Sequence, residues 1–193
     1  MNVPSFVQDL RDRMQRKGYR IFESAKYPYN LNIVGLRSKP YRSDCFNDLL
    51  WVFWIEDEIT FCRCWPITTL PGLHYLLNPF NIRGTAIVVP GQYLDCYELG
   101  KYHGYTALRQ KAPIAVYRDT NLDSFPDQVP QSIEVGNFGI HIHKAGVFSK
   151  IVGISSAGCQ VFQKSADFAE FIDLCDKAAL YWGNHFTYTL LDE

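Results

Sequence analysis

Apolar residues recur at helical spacing in two stretches of the chain, one near each end. The first stretch predicts an amphipathic helix over residues 5–17, with Ser5 as a candidate N-cap and Gly18 as the stop signal. Its apolar face is formed by Phe6, Val7, Leu10 and Met14. We expect this face to pack against the rest of the protein.

The second helical pattern covers residues 165–182 and is the longer of the two. Ser165 is a candidate N-cap, and Gly183 is expected to end the helix. The apolar positions that share one face are Phe168, Phe171, Ile172, Cys175 and Ala179. This spacing predicts a C-terminal helix with one buried face.

Between the two helices the chain consists of short apolar runs broken by Pro, Gly and Asn, which is typical of strands. Strands are predicted over residues 31–36, 49–55, 59–65, 84–89, 112–118, 133–135 and 139–143, and a closing strand over 185–191. A turn is expected at residues 56–58 and a polar loop at 119–130. The pattern predicts a β-rich α+β fold in one domain spanning 1–193, with a helical segment at 1–18 and a β-rich part at 19–193.

Composition and charge narrow the functional classes. The 193 residues are 47% hydrophobic, so the chain can bury a large core, and the net charge of -1 gives no electrostatic reason to bind nucleic acid. No apolar run approaches the roughly 20 residues that span a bilayer, and no signal peptide is recognised. We therefore expect synthesis in the cytoplasm and no membrane span.

Six cysteines occur, but the length of the chain and the missing export signal argue against a disulfide framework. Cys62 and Cys64 lie two residues apart, yet no second such pair completes a metal site. We interpret them as buried thiols and predict neither a structural metal nor a cofactor.

Residues 137–162 carry the candidate chemistry. His141 and His143 share one face of a strand, and Cys159 follows three small residues that let backbone amides approach a ligand. A thiol that attacks a carbonyl needs a base and donors for the developing oxyanion. His143 is the preferred base because Lys144 suggests that the strand ends there, and His141 is the alternative. The amides of Gly158 and Cys159 are the expected oxyanion donors.

Three further residues are candidate substrate-binding groups. The Ser156 hydroxyl could contact the substrate or the thiolate, or simply pack the loop. His103 could line the cleft or lie on the surface. Arg118, together with Asp119, could orient the substrate or a histidine, or form a surface ion pair.

This segment resembles the active-site signature of the L,D-transpeptidases. In that family a strand ending in a histidine is followed roughly 16 to 18 residues later by a Ser/Thr-His-Gly-Cys run that holds the nucleophile. Cys159 lies 16 residues after His143 and 18 after His141. The resemblance implies a YkuD-type β-sandwich or barrel with Cys159 as nucleophile. The chain departs from the family at Ala157, where the family has a histidine.

The same segment also resembles uncharacterised proteins of tailed bacteriophages, which share the elements at residues 68–72 and 90–93. The two resemblances together imply a cysteine-dependent peptidase that cuts the stem peptides of peptidoglycan, carried in a virion or released to the wall at lysis. The alternatives are an L,D-transpeptidase, a zinc-dependent peptidase using the two histidines with Cys159 or His103, and a non-catalytic module of the virion that binds the cell wall.

Overall fold

The computed structural model of the protein describes residues 3–24, 26–147 and 149–193. In these residues eight strands close into a barrel, three more form a small second sheet, and three α-helices pack around them. The strands are β1 Asn32–Arg37, β2 Asp48–Glu56, β3 Ile59–Thr68, β4 Thr85–Val88, β5 Gly91–Tyr102, β6 Tyr105–Gln110, β7 Ile114–Asp119, β8 Glu134–Gly136, β9 Ile142–Lys144, β10 Gln160–Phe162 and β11 Phe186–Asp192. The helices are α1 Ser5–Arg16, α2 Leu73–Leu77 and α3 Ser165–Trp182, with short 3-10 turns at Pro130–Ser132 and Gly153–Ser155.

The barrel runs in the order β1, β11, β5, β6, β9, β10, β3, β2, and β4, β7 and β8 make the second sheet. Two neighbouring pairs, β1 with β11 and β9 with β10, are parallel, and the other barrel pairs are antiparallel. A β-rich α+β fold is therefore confirmed. The β9–β10 pair matters most here because it positions the candidate chemistry.

The predicted N-terminal helix is confirmed as α1. Its residues Val7, Leu10 and Met14 are fully buried and form a second apolar cluster with Val34 and Phe53. The predicted cap is wrong: Pro4 occupies the N-cap position, and the helix start has no side-chain cap.

Strand β1 is buried at all six positions, because the main core lies against one of its faces and α1 against the other. Ile33 belongs to the main core, whereas Val34 and Leu36 belong to the cluster under α1. A strand covered on both faces loses the alternation of apolar and polar residues. This explains why residues 33–36 in the middle of the strand are all nonpolar, between the buried polar residues Asn32 and Arg37.

Helix α3 also confirms its prediction, and it ends at Gly183, which has a φ of +85°. Ser165 does not cap it, because Lys164 is the residue before the helix and the Ser165 hydroxyl is buried among the described residues without a partner. The helix buries Phe168, Phe171 and Cys175 in the main core.

The predicted strands map onto β1 to β4, β7 to β9 and β11, and the turn at residues 57–58 joins β2 to β3. The long hairpin of β5 and β6 was not predicted, and neither were β10 and the short α2. In the parts of the chain that the structure describes, no helix combines the length and apolar character needed to cross a membrane.

Candidate active site

The parallel pairing of β9 and β10 brings Cys159 next to His141. Gln160 lies opposite Ile142, and its N–H donates to the carbonyl of His141 at 2.9 Å. Cys159 therefore stands one residue before the paired segment, where the His141 N–H points to its Sγ at 3.4 Å. The thiol in turn points to the carbonyl of Gly139 at 3.7 Å. Two residues that are 18 positions apart in sequence thus become neighbours.

The loop before Cys159 is held by its own hydrogen bonds. The Ser156 hydroxyl is fully buried; it donates to the carbonyl of Cys159 at 2.9 Å and accepts from the N–H of Gly158 at 3.2 Å. Of the roles left open for Ser156, packing of the loop is the one these contacts support. Because the Gly158 N–H is engaged inside the loop, its predicted role as an oxyanion donor receives no support.

Glycine is required at position 158 for two reasons. Its φ is +123°, and a Cβ there would lie 2.4 Å from the carbonyl oxygen of Ala86. The loop that holds Cys159 therefore lies directly against the backbone of Ala86 in β4, and no residue larger than glycine fits at position 158.

His143 is arranged as a base. It is 5% exposed, and its Nδ1 lies 3.0 Å from the carbonyl of Lys144, so Nδ1 carries the proton in the neutral ring. Its Nε2 lone pair is buried and has no hydrogen-bond partner among the described residues. Burial lowers the pKa of His143, and the charge of His103 lowers it further, whereas the contact with the Lys144 carbonyl raises it. The ring is therefore neutral at pH 7, with an accepting nitrogen available.

His141 has the opposite tautomer. Its Nδ1 accepts the backbone N–H of Gln110 at 3.0 Å, so the neutral ring carries its proton on Nε2. Burial, followed by the charges of His143, Arg109 and His103, lowers the pKa of His141 to about 4. In this arrangement its outer nitrogen is a donor rather than a base. The hydrogen bonds thus favour His143 over His141 as the proton acceptor.

Tyr102, which the sequence analysis missed, packs against both histidines. Its ring centroid lies 4.9 Å from that of His141 and 4.9 Å from that of His143. It is the last residue of β5, and the exposed His103 follows it in the hairpin turn with a φ of +45°. The ring centroid of His103 lies 4.3 Å from that of Tyr102, and His103 is not among the residues that line the cavity at Cys159.

The thiol of Cys159 is protonated at neutral pH. Burial raises its pKa to about 11, and the neighbouring His141 N–H lowers it only in part. Since Nε2 of His143 has no partner among the described residues, no thiol–imidazole hydrogen bond is formed. Hydrogen bonds between catalytic groups are often long in proteins without substrate and tighten when it binds.

Cys159 lines a cavity of about 200 Å³ with an aromatic wall. The aromatic residues of this wall are Tyr75, Phe80, Tyr102 and Phe138. A neighbouring cavity of about 400 Å³ shares Phe80, Phe138 and Ala157 with it. Ala157, where the chain departs from the transpeptidase pattern, therefore lines both cavities.

Arg118 lines the second cavity and not the one at the thiol. It is 7% exposed, its Nε pairs with Glu134 at 2.9 Å, and its guanidinium lies 4.7 Å from the centroid of the Phe138 ring. Arg118 thus forms a largely buried ion pair with Glu134, and the structure does not test whether it orients a substrate or a histidine. Arg83 pairs with the same carboxylate at 2.8 Å.

The remaining predictions concern thiols and metals. All six cysteines are free thiols, and Cys96 and Cys175 are buried, whereas Cys62 and Cys64 are half-buried. Across residues 3–24, 26–147 and 149–193, no group of three or more His, Cys, Asp or Glu side chains is placed to hold a metal ion. The zinc alternative gains no support from this arrangement.

The resemblances to L,D-transpeptidases and to phage proteins rest on sequence patterns alone. No protein-family model matches the chain, and comparisons with curated proteins and with solved structures also give no match.

Proposed function

We propose that the protein is a cysteine-dependent peptidase that hydrolyses amide bonds in the stem peptides of peptidoglycan. The observation that carries the proposal is a thiol on a cavity wall beside a strand that bears a neutral histidine with a free, buried Nε2. That combination supplies a nucleophile, a base and a space for substrate. The choice of peptidoglycan is supported only by the resemblance of the active-site pattern.

The reaction begins when Nε2 of His143 takes the proton from Sγ of Cys159 and the sulfur attacks the amide carbonyl. The tetrahedral intermediate then expels the amine, which takes the proton back from the imidazolium, and a thioester to Cys159 remains. Water, deprotonated by His143, attacks the thioester; the acid leaves, and the imidazolium returns its proton to Sγ of Cys159. Because the pKa of the resting thiol is raised, proton transfer accompanies attack instead of preceding it. Substrate binding must bring Sγ and Nε2 together.

The two neighbouring cavities suggest how a peptide would lie. The aromatic wall next to Cys159 suits the apolar part of a residue at the cut bond, and the second cavity is lined by Arg118. Arginine is well suited to a carboxylate group on a peptide. Hydrolysis is favoured over transfer to an amine because the phage likeness implies wall degradation from a virion or at lysis.

A digestion experiment tests the proposal. Purified peptidoglycan is incubated with the wild type, with Cys159→Ala and with His143→Ala, and the soluble fragments are identified by mass. We expect stem-peptide fragments from the wild type only, and the variant Cys62→Ala serves as a control because it removes a half-buried thiol away from the cavity. Fragments from Cys159→Ala at the wild-type rate would exclude the thiol mechanism. Cross-linked products with an added amine would instead indicate a transpeptidase.

A second candidate is a non-catalytic module that binds the cell wall. It is favoured by the raised pKa of Cys159 and by the missing hydrogen bond between Sγ and His143. If it is correct, wild type and Cys159→Ala bind peptidoglycan equally and neither releases fragments. The digestion experiment therefore separates the two candidates when a sedimentation binding assay is run on the same samples.

A further inference from the structure

The loop that follows β7 has oxygen-bearing side chains at the spacing of a calcium loop. Counted from Asp119, these residues stand at positions 1, 3, 5 and 9, which are side-chain ligand positions in helix–loop–helix calcium sites. They are Asp119, Asn121, Asp123 and Asp127. At position 7, where such loops use a backbone carbonyl, the residue is Phe125. The sequence analysis treated this segment only as a polar loop.

Asp119 provides an observation that is independent of this spacing. It is the last residue of β7 and is 2% exposed, yet its Oδ1 has no hydrogen-bond partner in the part of the chain that the structure describes. Its other oxygen, Oδ2, accepts the N–H of Asp127 at 2.8 Å, so the carboxylate faces the loop. A buried carboxylate oxygen without a partner is costly and calls for a cation or a donor.

The other carboxylates converge on one point inside the loop. The Asn121 amide nitrogen donates to Asp127 Oδ2 at 2.6 Å and to Asp123 Oδ2 at 2.9 Å. One NH₂ group thus occupies the place where a cation would neutralise two carboxylates. If the side-chain amide of Asn121 rotates by half a turn, its Oδ1 takes the place of this nitrogen. An amide oxygen is a suitable ligand for a hard cation.

As the side chains stand, the described residues include no group of three or more His, Cys, Asp or Glu side chains that could hold a metal ion. The Asn121 amide nitrogen bridges Asp123 and Asp127 instead. Calcium binding therefore requires the Asn121 amide to rotate.

We propose that residues 119–127 bind a calcium ion through the side-chain oxygens of Asp119, Asn121, Asp123 and Asp127 and the carbonyl of Phe125. The loop has Ser124 at position 6, where glycine is usual, and Pro130 at position 12, where a bidentate glutamate is usual. It therefore offers fewer ligands than a complete helix–loop–helix site. We expect a dissociation constant on the order of 0.1–1 mM, as in weak extracellular calcium modules. The proposal does not depend on the proposed peptidase activity.

The bound ion would fasten the loop to the barrel. The Ser43 hydroxyl donates to the carbonyl of Ser124 at 3.0 Å, and the buried Arg37 contacts Gln128 at 3.4 Å. Asp119 directly follows Arg118, which lines the cavity beyond Ala157. Calcium would thus neutralise the buried carboxylate and stabilise the folded chain by mass action.

Calorimetry on the full chain, stripped with chelator and titrated with calcium chloride alone, tests the site. We expect saturable heat and a thermal unfolding midpoint raised by roughly 5 °C at about 10 mM calcium. Asp123→Asn is expected to weaken binding at least tenfold. Asp123 is exposed, so this variant should fold, and circular dichroism would verify that it does.

Asp57→Asn is the matched control, because Asp57 is also an exposed turn aspartate and lies outside the loop. It should bind calcium like the wild type. The proposal is overturned if calcium gives neither heat nor a shift of the midpoint in the wild type. It is also overturned if the shift in Asp123→Asn equals that in the wild type, since calcium would then bind elsewhere.

Discussion

The reactivity of Cys159 towards iodoacetamide distinguishes a protonated thiol from a preformed thiolate–imidazolium pair. Burial raises the pKa of this thiol from 9.0 to about 11. Near pH 8 that shift lowers the thiolate fraction about a hundredfold, since each pKa unit is a factor of ten. A more basic thiolate is also more nucleophilic, which offsets roughly tenfold of this loss. We therefore expect alkylation of Cys159 to be about tenfold slower in the folded protein than in the denatured chain.

The assay follows alkylation at each cysteine by peptide mass mapping over a range of pH, with the denatured protein as the internal standard. The rate at Cys159 should rise without an inflection below about pH 9, because little thiolate forms there. His143→Ala should leave this rate nearly unchanged, since no hydrogen bond joins Nε2 to Sγ. The same variant should abolish peptidoglycan digestion.

The opposite result would refute the reasoning. A folded protein that reacts faster than the denatured chain, with an inflection below about pH 8, would contain a stabilised thiolate. Loss of that fast reaction in His143→Ala would assign the stabilising charge to His143. Cys159 would then be deprotonated before substrate arrives, and proton transfer would not accompany the attack.

Three further predictions concern stability. Gly158→Ala should lower the free energy of unfolding by roughly 3 kcal/mol, because its Cβ would lie 2.4 Å from a backbone oxygen. Gly104 also has a positive φ, but a Cβ there would meet nothing within 4 Å, so Gly104→Ala should cost only about 1 kcal/mol. Equal losses of unfolding free energy for the two variants in urea would contradict the close contact at Gly158. Arg37→Met should lower the free energy of unfolding by about 3 kcal/mol in the same assay. The fully buried guanidinium of Arg37 donates to the hydroxyl of Thr69 at 2.8 Å and to its carbonyl at 3.0 Å. A loss under about 1 kcal/mol would contradict this reasoning. The pKa of His141 falls from 6.5 to about 4 on folding, so the unfolded chain takes up the proton first as the pH drops. Between pH 6.5 and 4 the wild type should therefore lose roughly 1–2 kcal/mol more stability than His141→Gln, since solvent around the partly exposed ring screens part of the shift, and parallel pH profiles would exclude this linkage.

The sequence was most informative where the pattern is local. The spacing of Val7, Leu10 and Met14 predicted α1, and Gly183 marked the end of α3, since both depend on neighbouring turns of one helix. The capping predictions failed because a serine can lie one residue inside a helix as easily as at its N-cap. The hairpin of β5 and β6 did have a local signal in its turn, His103-Gly104. Both residues have a positive φ, as a two-residue hairpin turn requires, and glycine is favoured at such a position.

The candidate site depended on pairing that no local pattern contains. His141 and His143 share a face by simple alternation, and that much follows from the sequence. Only the parallel register of β9 with β10 brings the N–H of His141 to the sulfur of Cys159. The contact of Tyr102 with both histidines also could not be predicted, because β6 lies between β5 and β9 in the barrel and no local pattern links the two strands.

The sequence by itself determined the chemical groups: a thiol after a small-residue loop, two histidines two positions apart on one strand, and oxygen-bearing side chains spaced along the loop after β7. The tertiary structure decided the state of those groups. Burial sets the pKa of Cys159 and of both histidines, and the carbonyl of Lys144 and the amide of Gln110 set the two tautomers. Ionisation depends on solvent access, and the tautomer of His141 depends on Gln110, which is distant in sequence, so both are fixed only once the barrel has closed.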